Sequence, residues 1–373
     1  MVRCPMTPES LPPIVVYGSS ISYFTGKLEN YFRLKGIPYR LQALTSPHHA
    51  KLVRQHTGST QMPALQLGDG RWMTDTTAII QWFETEFPAP AVMPTDPLQR
   101  FFSLLLEDYA DEWLWRPAMH YRWYYREGAR FASGHLATEL AAGVPLPFFC
   151  KRWIITRRQR GGYTAGDGIT PDQVPGVEAI YRRMLEQLEA IFRVRPFLLG
   201  DKPSLADIGF SGPVWRHFGL DPIPAQIMKQ QAPAVWEWAA RLWNYNQHQQ
   251  AGALLQGIPA DWGPILAEIG RHYLPYLCAN IDAVAAGNKR FDADVGGVHY
   301  RGARWSKYRV WCVRQLRAHF SALPDEDRKQ AQALLEQHGC WETLWRHAQL
   351  PIAEELCSRL PFFGDAKMID VYD

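Results

Sequence analysis

Apolar and polar positions alternate in two different patterns over the first 87 residues. Short apolar runs bounded by glycine or proline predict strands, and apolar positions spaced three and four residues apart predict amphipathic helices. The pattern predicts, in order, a strand over 14–17, a helix over 22–36, a strand over 37–41, a helix over 46–57, strands over 62–67 and 71–73, and a helix over 75–87. This order, β-α-β-α-β-β-α, indicates an α/β domain.

The pattern changes after residue 87. The segment 87–97 carries four prolines and no periodicity, which indicates a linker. Beyond it the spacing is mainly helical, with 107–127 as one aromatic-rich helix and 292–305 as a glycine-rich loop. We predict an α/β domain over 1–87, a linker over 88–97, an all-α domain over 98–255 and a helical extension over 256–373 packed on that second domain.

Composition narrows the possible functions. The chain has 40 Lys and Arg against 37 Asp and Glu, which disfavours a nucleic-acid partner. Its six cysteines form no C-x-x-C pair, so we expect no metal site and no dithiol redox motif. The N-terminal sequence lacks the apolar segment of a signal peptide and no run of about 18 apolar residues occurs, so we expect a cytoplasmic protein without a membrane partner.

Four motifs occur in order along the chain. They are VYGSSISYFTGKLENYFRLKGIPY at 16–39, QMPAL at 61–65, MTDT at 73–76 and PFLLGDKPSLADI at 196–208, in which Ser204 and Asp207 can form a capping box. Together they resemble the glutathione S-transferase superfamily, and the first is similar to that of bacterial members with an active-site serine. The resemblance covers about residues 14–220. It implies a thioredoxin-like N-terminal domain, an all-α second domain and a homodimer.

Ser22 is the residue that the resemblance implies for catalysis. At the N-terminus of the first helix its hydroxyl and the free backbone N–H groups can stabilise a thiolate, whereas a free thiol with a pKa of about 8.5 is mostly protonated at neutral pH. Tyr23 departs from the family, which often has proline there. Tyr17, Ser20 and Tyr23 carry rival hydroxyl groups.

The resemblance also implies which residues bind glutathione. A cis bond before Pro63 would present the backbone of Met62 to the cysteinyl residue of the peptide, and Asp75 with Thr76 would bind its γ-glutamyl end. Tyr23 and Gln61 complete the predicted set. Candidates for the glycine carboxylate, which the sequence does not rank, are Lys35, His48, His49, Lys51 and Gln61.

The aromatic segment 107–127 is predicted to line the second-substrate pocket, although some of its rings must serve the core. The predicted pocket residues are Trp113, Trp115, His120, Tyr121, Trp123 and Tyr124. The basic run at 151–160 fits either a solvated face or a rim that attracts anions or a partner.

These features predict a glutathione transferase that conjugates the glutathione thiolate to a hydrophobic electrophile. The alternatives are a non-catalytic interaction module of the same fold and a glutathione-dependent isomerase, ether-cleaving or dehalogenating enzyme.

Overall fold

The computed structural model describes residues 13–44, 47–246 and 252–348. Its N-terminal part contains a four-stranded sheet built from β1 (Ile14–Gly18), β2 (Tyr39–Ala43), β3 (Ala64–Gln66) and β4 (Trp72–Thr74). The strand order is β2-β1-β3-β4, in which β1 runs parallel to β2 and antiparallel to β3. The helices of this part are α1 (Tyr23–Lys35), α2 (Pro47–Thr57) and α3 (Thr76–Glu86). The predicted β-α-β-α-β-β-α order is confirmed.

The rest of the described chain is mainly helical, as predicted. As far as residue 246 it contains α4 (Pro97–Glu112), α5 (Trp115–Trp123), α6 (Arg126–Glu139), α7 (Phe148–Gln159), α8 (Val174–Phe192), α9 (Leu205–Pro213), α10 (Pro222–Gln231) and α11 (Pro233–Asn244). From residue 252 it contains α12 (Gly263–Glu268), α13 (Leu274–Ala285), β5 (Arg290–Val295), β6 (Val298–Arg304), α14 (Lys307–Ser321), α15 (Asp325–Gln337) and α16 (Trp341–Trp345). The predictions for residues 1–12 and 349–373 lie outside the described residues.

The prediction of one helix over 107–127 is wrong, because the segment is divided between α4, α5 and the start of α6. Pro117 has no backbone N–H to continue the helix of α4, and its ring would clash with the carbonyl of Trp113, so a new helix begins at Trp115. The second break lies at Tyr125, whose backbone is extended. The side chains of 107–127 therefore do not follow the continuous faces of a single straight helix.

The prediction of a loop over 292–305 is also wrong, because β5 and β6 form an antiparallel hairpin there. Gly296 and Gly297 connect the strands with φ angles of 57° and 81°. Two consecutive positive φ values belong to the tight turns that match the twist of paired strands, and glycine adopts them without steric cost. The two glycines are thus a hairpin signal rather than a loop signal.

Residues 252–348 share one hydrophobic core with the preceding helices. Trp113 at the end of α4 is fully buried and its ring lies against Tyr273, Tyr276 and Tyr300 of this segment. Trp262 is also fully buried, and its indole N–H donates to the Leu198 carbonyl at 3.1 Å. The segment is therefore a packed layer of the helical region.

A buried ion-pair group joins the two parts of the chain. The Lys27 ammonium of α1 contacts the carboxylates of Glu107 and Asp111 on α4. Burial alone would lower the pKa of Lys27, but the two carboxylates raise it above its usual value, so the side chain stays charged.

A search of the described residues for membrane-spanning helices found none with the length and apolar character required.

We expect Trp262→Ala to lower the free energy of unfolding by about 3–5 kcal/mol, because it leaves a cavity in the shared core and removes one of the two hydrogen bonds to the Leu198 carbonyl, the other coming from Arg195. Trp153→Ala is the matched control, since that ring is 62% exposed and its loss should change stability by about 0.5 kcal/mol or less. Denaturant unfolding of both variants measures the difference. Equal stabilities would contradict the packing of this segment.

Candidate functional site

The three chain segments that carry the candidate site residues lie at the same edge of the sheet. Tyr17, next to the end of β1, pairs with Ala64 at the start of β3, and Ala64 pairs with Thr74 at the end of β4. The chain therefore leaves β1 toward Ser22, enters β3 from Pro63 and leaves β4 toward Asp75, all at the same edge of the sheet. A Thr74 hydroxyl bond to the Pro63 carbonyl at 3.2 Å links two of these segments.

Ser22 caps the N-terminus of α1. Its Oγ accepts a hydrogen bond from the Thr25 N–H at 3.4 Å, and the side chain is half-buried. The hydroxyl proton can therefore be donated to a ligand. Because the first N–H groups of a helix have no intrahelical acceptor, those of Tyr23 and Phe24 add positive potential at the same point.

The turn before Ser22 is bound by a carboxylate from α6. The Ser19 hydroxyl donates to Glu139 at 2.5 Å, and the Ser20 N–H lies 3.2 Å from each of the two carboxylate oxygens. Leu140, the next residue, packs on the small cluster around Tyr17 and Met62. The end of α6 thus lies over the edge of the sheet where the candidate site is.

Two arginines bind the carbonyl groups of the same turn. Arg122 is buried and donates from Nη1 to the Ile21 carbonyl at 2.7 Å, while its Nε donates to the Asp221 carboxylate at 2.9 Å. Burial raises the pKa of Asp221 to about 6, although Arg122 opposes that shift. Arg216 donates to the Ser20 carbonyl. The backbone of this turn is therefore fixed by side chains from the helical region.

Two of the hydroxyl groups that could take the place of Ser22 already donate hydrogen bonds within the protein. Tyr17 donates to the Gln66 side chain at 3.2 Å. Tyr23 is buried and donates to the Ala110 carbonyl at 2.5 Å, and burial raises its pKa well above 10. The Tyr23 hydroxyl therefore cannot reach the thiol of a ligand at Ser22, because the ring points between α1 and α4, and the backbone N–H is the part of Tyr23 that remains for a contact with glutathione. Ser22 and Ser20 remain as hydroxyl donors.

The peptide bond between Met62 and Pro63 is cis, as the motif predicted. Within the described ranges, the backbone N–H and carbonyl of Met62 make no hydrogen bond. Met62 is half-buried and Gln61 is exposed, so a peptide ligand can reach both. An extended peptide could pair with this backbone as an added strand.

Asp75 and Thr76 form the start of α3. Asp75 has a φ of 72°, and its carboxylate accepts hydrogen bonds from the N–H groups of Thr77 at 3.0 Å and Ala78 at 3.4 Å. Burial raises its pKa to about 6, and hydrogen bonds from Tyr308 and Ala78 oppose the shift. A helix N-terminus beside a carboxylate can bind an ammonium and a carboxylate of one ligand together.

Among the candidates for binding the glycine carboxylate, Lys35 is excluded because its ammonium is not accessible to a ligand. It is buried, and its ammonium contacts Glu84 and the carbonyl groups of Phe87 and Pro90. His48, Lys51 and Gln61 are exposed and His49 is half-buried, so these four stay candidates.

Of the six aromatic residues predicted for the pocket, the structure places Trp115 beside the start of α1. Its ring stacks on Phe24 with centroids 5.6 Å apart, and both rings are half-buried. Tyr124 is 46% exposed and stacks on His120. The pocket prediction is wrong for the buried core residues Trp113, His120, Tyr121 and Trp123. The physical reason is packing against other elements, as for Trp113 against Tyr273 and for Tyr121 against Tyr181.

The capping box predicted in the helical region is confirmed. Asp207 accepts from the Ser204 N–H at 2.9 Å, and the Trp238 indole N–H donates to the same carboxylate.

Within the described residues, no group of three or more His, Cys, Asp and Glu side chains could hold a metal ion.

Comparison with family models decides the family. The model of the glutathione S-transferase N-terminal domain matches residues 16–91, and the model of the C-terminal domain matches residues 171–241. These two matched segments belong to the glutathione S-transferase superfamily. Neither model covers α6, α7 or the residues from 252 onward. A comparison with curated proteins returned no match.

Several solved structures of this superfamily are similar to the chain. A glutathione S-transferase from Methylobacterium radiotolerans, in complex with glutathione sulfonate, is 19% identical with a TM-score of 0.41, over 66% of this chain and 98% of that one. The beta-etherase LigF from Sphingobium is 18% identical with a TM-score of 0.44, over 65% and 97%. A Tau class glutathione S-transferase from mango is 16% identical with a TM-score of 0.40, over 63% and 90%.

Sequence reasoning missed Glu139, Arg122 and Arg216, the three side chains that bind the turn before Ser22. They lie 101 to 196 positions along the chain from the turn residues that they contact, and none belongs to a motif of recognisable spacing. The uninterrupted stretch of aromatic residues around Arg122 was the one local sign of a buried charge, since a cation among rings requires a buried partner.

Proposed function

We propose that this transferase-superfamily protein conjugates glutathione to a hydrophobic electrophile. The observation that supports the proposal is the shared sheet edge, where Ser22, the backbone of Met62 and the start of α3 come together. These groups fit the thiol, the cysteinyl backbone and the γ-glutamyl end of one tripeptide. The proposal includes a homodimer in the cytoplasm, as is usual for the superfamily.

When glutathione is bound, its thiol loses a proton to solvent and the thiolate forms a bond from sulfur to the electrophilic carbon. In a substitution the leaving group departs with its bonding electrons, and in an addition to a double bond the neighbouring carbon takes up a proton from solvent. The Ser22 hydroxyl donates a hydrogen bond to the sulfur, and the start of α1 favours its negative charge. Met62 pairs with the cysteinyl backbone, Asp75 binds the γ-glutamyl ammonium, and Thr76 binds its carboxylate. Trp115 and Phe24 offer an apolar surface to the electrophile, so that the two reactants are held together.

We expect Ser22→Ala to keep glutathione binding while raising the pKa of the bound thiol by about 1–2 units, because the anion loses one hydrogen bond. The rate of conjugation near pH 6.5 should fall about 10- to 100-fold. Calorimetry measures binding, and ultraviolet titration of the thiolate measures the pKa. Ser20→Ala is the control, with little change expected.

Failure of the wild-type chain to bind glutathione would overturn the proposed function and favour an interaction module. Binding with turnover that returns glutathione unchanged would favour an isomerase. An unchanged thiolate titration in Ser22→Ala, together with a shifted one in Ser20→Ala, would move the donor to Ser20.

We expect glutathione affinity to fall as the pH drops through about 6. The pKa of Asp75 is raised to about 6 by burial, so its carboxylate is charged above that pH and attracts the γ-glutamyl ammonium, whereas below it the attraction is lost. From pH 7 to pH 5 the Kd should rise about 10-fold. Asp75→Asn should bind weakly at both pH values, and a persistent pH dependence in that variant would assign it to another group.

We expect Glu139→Gln to lower the pKa of bound glutathione by about 0.5–1 unit, because the carboxylate on the turn before Ser22 opposes a nearby thiolate. The amide oxygen can still accept from the Ser19 hydroxyl, so the turn keeps one contact. Glu127→Gln, an exposed position on the first turn of α6, is the control. A raised pKa in Glu139→Gln would show that the residue acts only by holding the turn.

A further inference from the structure

Helix α7 exposes an unusual number of large apolar side chains. Of the eight such side chains that are exposed in the described part of the chain, five lie between Leu146 and Ile154. Phe149 is 73% exposed and Trp153 is 62% exposed, and none of the 12 residues of the helix is buried. Single exposed apolar residues are ordinary, but a contiguous group marks a surface that binds a partner or a membrane.

The same segment is strongly basic. Residues 140–166 contain five Lys and Arg and no Asp or Glu. None of these five cations forms a salt bridge within the described ranges, and Arg152 and Arg160 donate to backbone carbonyl groups instead. The positive charge is therefore uncompensated by neighbouring side chains.

Apolar and basic side chains occupy adjoining sectors of the helix. At about 100° per residue, Phe149 and Trp153 share the outward face, Arg152 lies on one side of them, and Lys151 and Arg158 lie beyond Ile154 on the other. The Arg157 guanidinium lies 5.7 Å from the centre of the Trp153 ring. An apolar sector with aromatic side chains and flanking cations is the pattern of helices that lie in the surface of a membrane.

The inward side attaches the helix to the rest of the chain. Ile155 packs on the cluster that contains Ile21 and Trp123, and the Arg152 guanidinium donates to the Ser133 hydroxyl of α6 at 3.2 Å. The outward side chains are therefore presented by a helix that is held in place. The outward side chains do not contribute to the hydrophobic core, so the packing of the fold does not account for their apolar character.

We propose that α7 docks on the surface of a bilayer that contains anionic phospholipids. Phe149 and Trp153 enter the headgroup region, and Lys151, Arg157 and Arg158 contact the lipid phosphates. The positive charge of α7 favours an anionic bilayer over an uncharged apolar partner. Burying the two rings against an uncharged surface would leave the neighbouring cations without anionic partners. The surface is independent of the proposed transferase reaction, and it replaces the expectation from the sequence that no membrane takes part.

Sedimentation with vesicles tests the proposal on the full-length protein. We expect binding to vesicles of phosphatidylcholine mixed with phosphatidylglycerol, little binding to phosphatidylcholine alone, and weaker binding in high salt. Phe149→Ser with Trp153→Ser should reduce the affinity about 10-fold or more, and Arg157→Gln with Arg158→Gln about 10- to 30-fold. Val194→Ser, which alters a 78% exposed position on another surface, is the matched control.

Three results would overturn the proposal. The first is no binding of the wild-type chain to anionic vesicles. The second is equal binding of the wild-type chain and the Phe149→Ser, Trp153→Ser variant, which would reduce the effect to general electrostatic attraction. The third is a dimer that dissociates in that variant, which would assign the surface to a second copy of the chain. Because α7 has no buried residue, circular dichroism should show all variants folded.

Discussion

The backbone of the turn at residues 19–21 is fixed by charged side chains that belong to a different part of the chain. Glu139 accepts from Ser19 and Ser20, Arg216 donates to the Ser20 carbonyl and Arg122 donates to the Ile21 carbonyl. The turn determines where α1 begins, and hence where the Ser22 hydroxyl lies. The candidate site is consequently formed only when the helical region is folded against the sheet.

These contacts require close approach between α1 and the helices that cover it. A Cβ on Gly26 would lie 2.0 Å from the Arg216 side chain, and one on Gly209 would lie 2.7 Å from the backbone of Glu107. Glycine at these two positions lets α1 and α9 pack closely against their neighbours. The same closeness lets Lys27 reach two carboxylates of α4 without water between them.

Buried charges at this interface favour one arrangement of the two parts. Removing Lys27 or Arg216 from water is costly unless each finds a partner with good geometry, and each does so across the interface, Lys27 with Glu107 and Arg216 with Glu29. Any other docking would leave a charge buried and unpaired. The net contribution of such pairs to stability is small, but the penalty for misplacing them is large. This specificity suits a site whose parts come from β1, β3, β4 and α6.

The sequence by itself determined the order of the N-terminal elements and the capping box at Ser204, because each depends on neighbouring residues in the chain, and the resemblance to a family supplied the cis peptide bond at Pro63. Periodicity, proline and glycine report local backbone preferences directly. The sequence did not show that Pro117 divides the aromatic helix, or that Gly296 and Gly297 form a hairpin turn. Only the tertiary structure placed Trp113 in the core, turned Tyr23 away from the site and brought Glu139 to Ser19, since such contacts join residues that no local pattern relates.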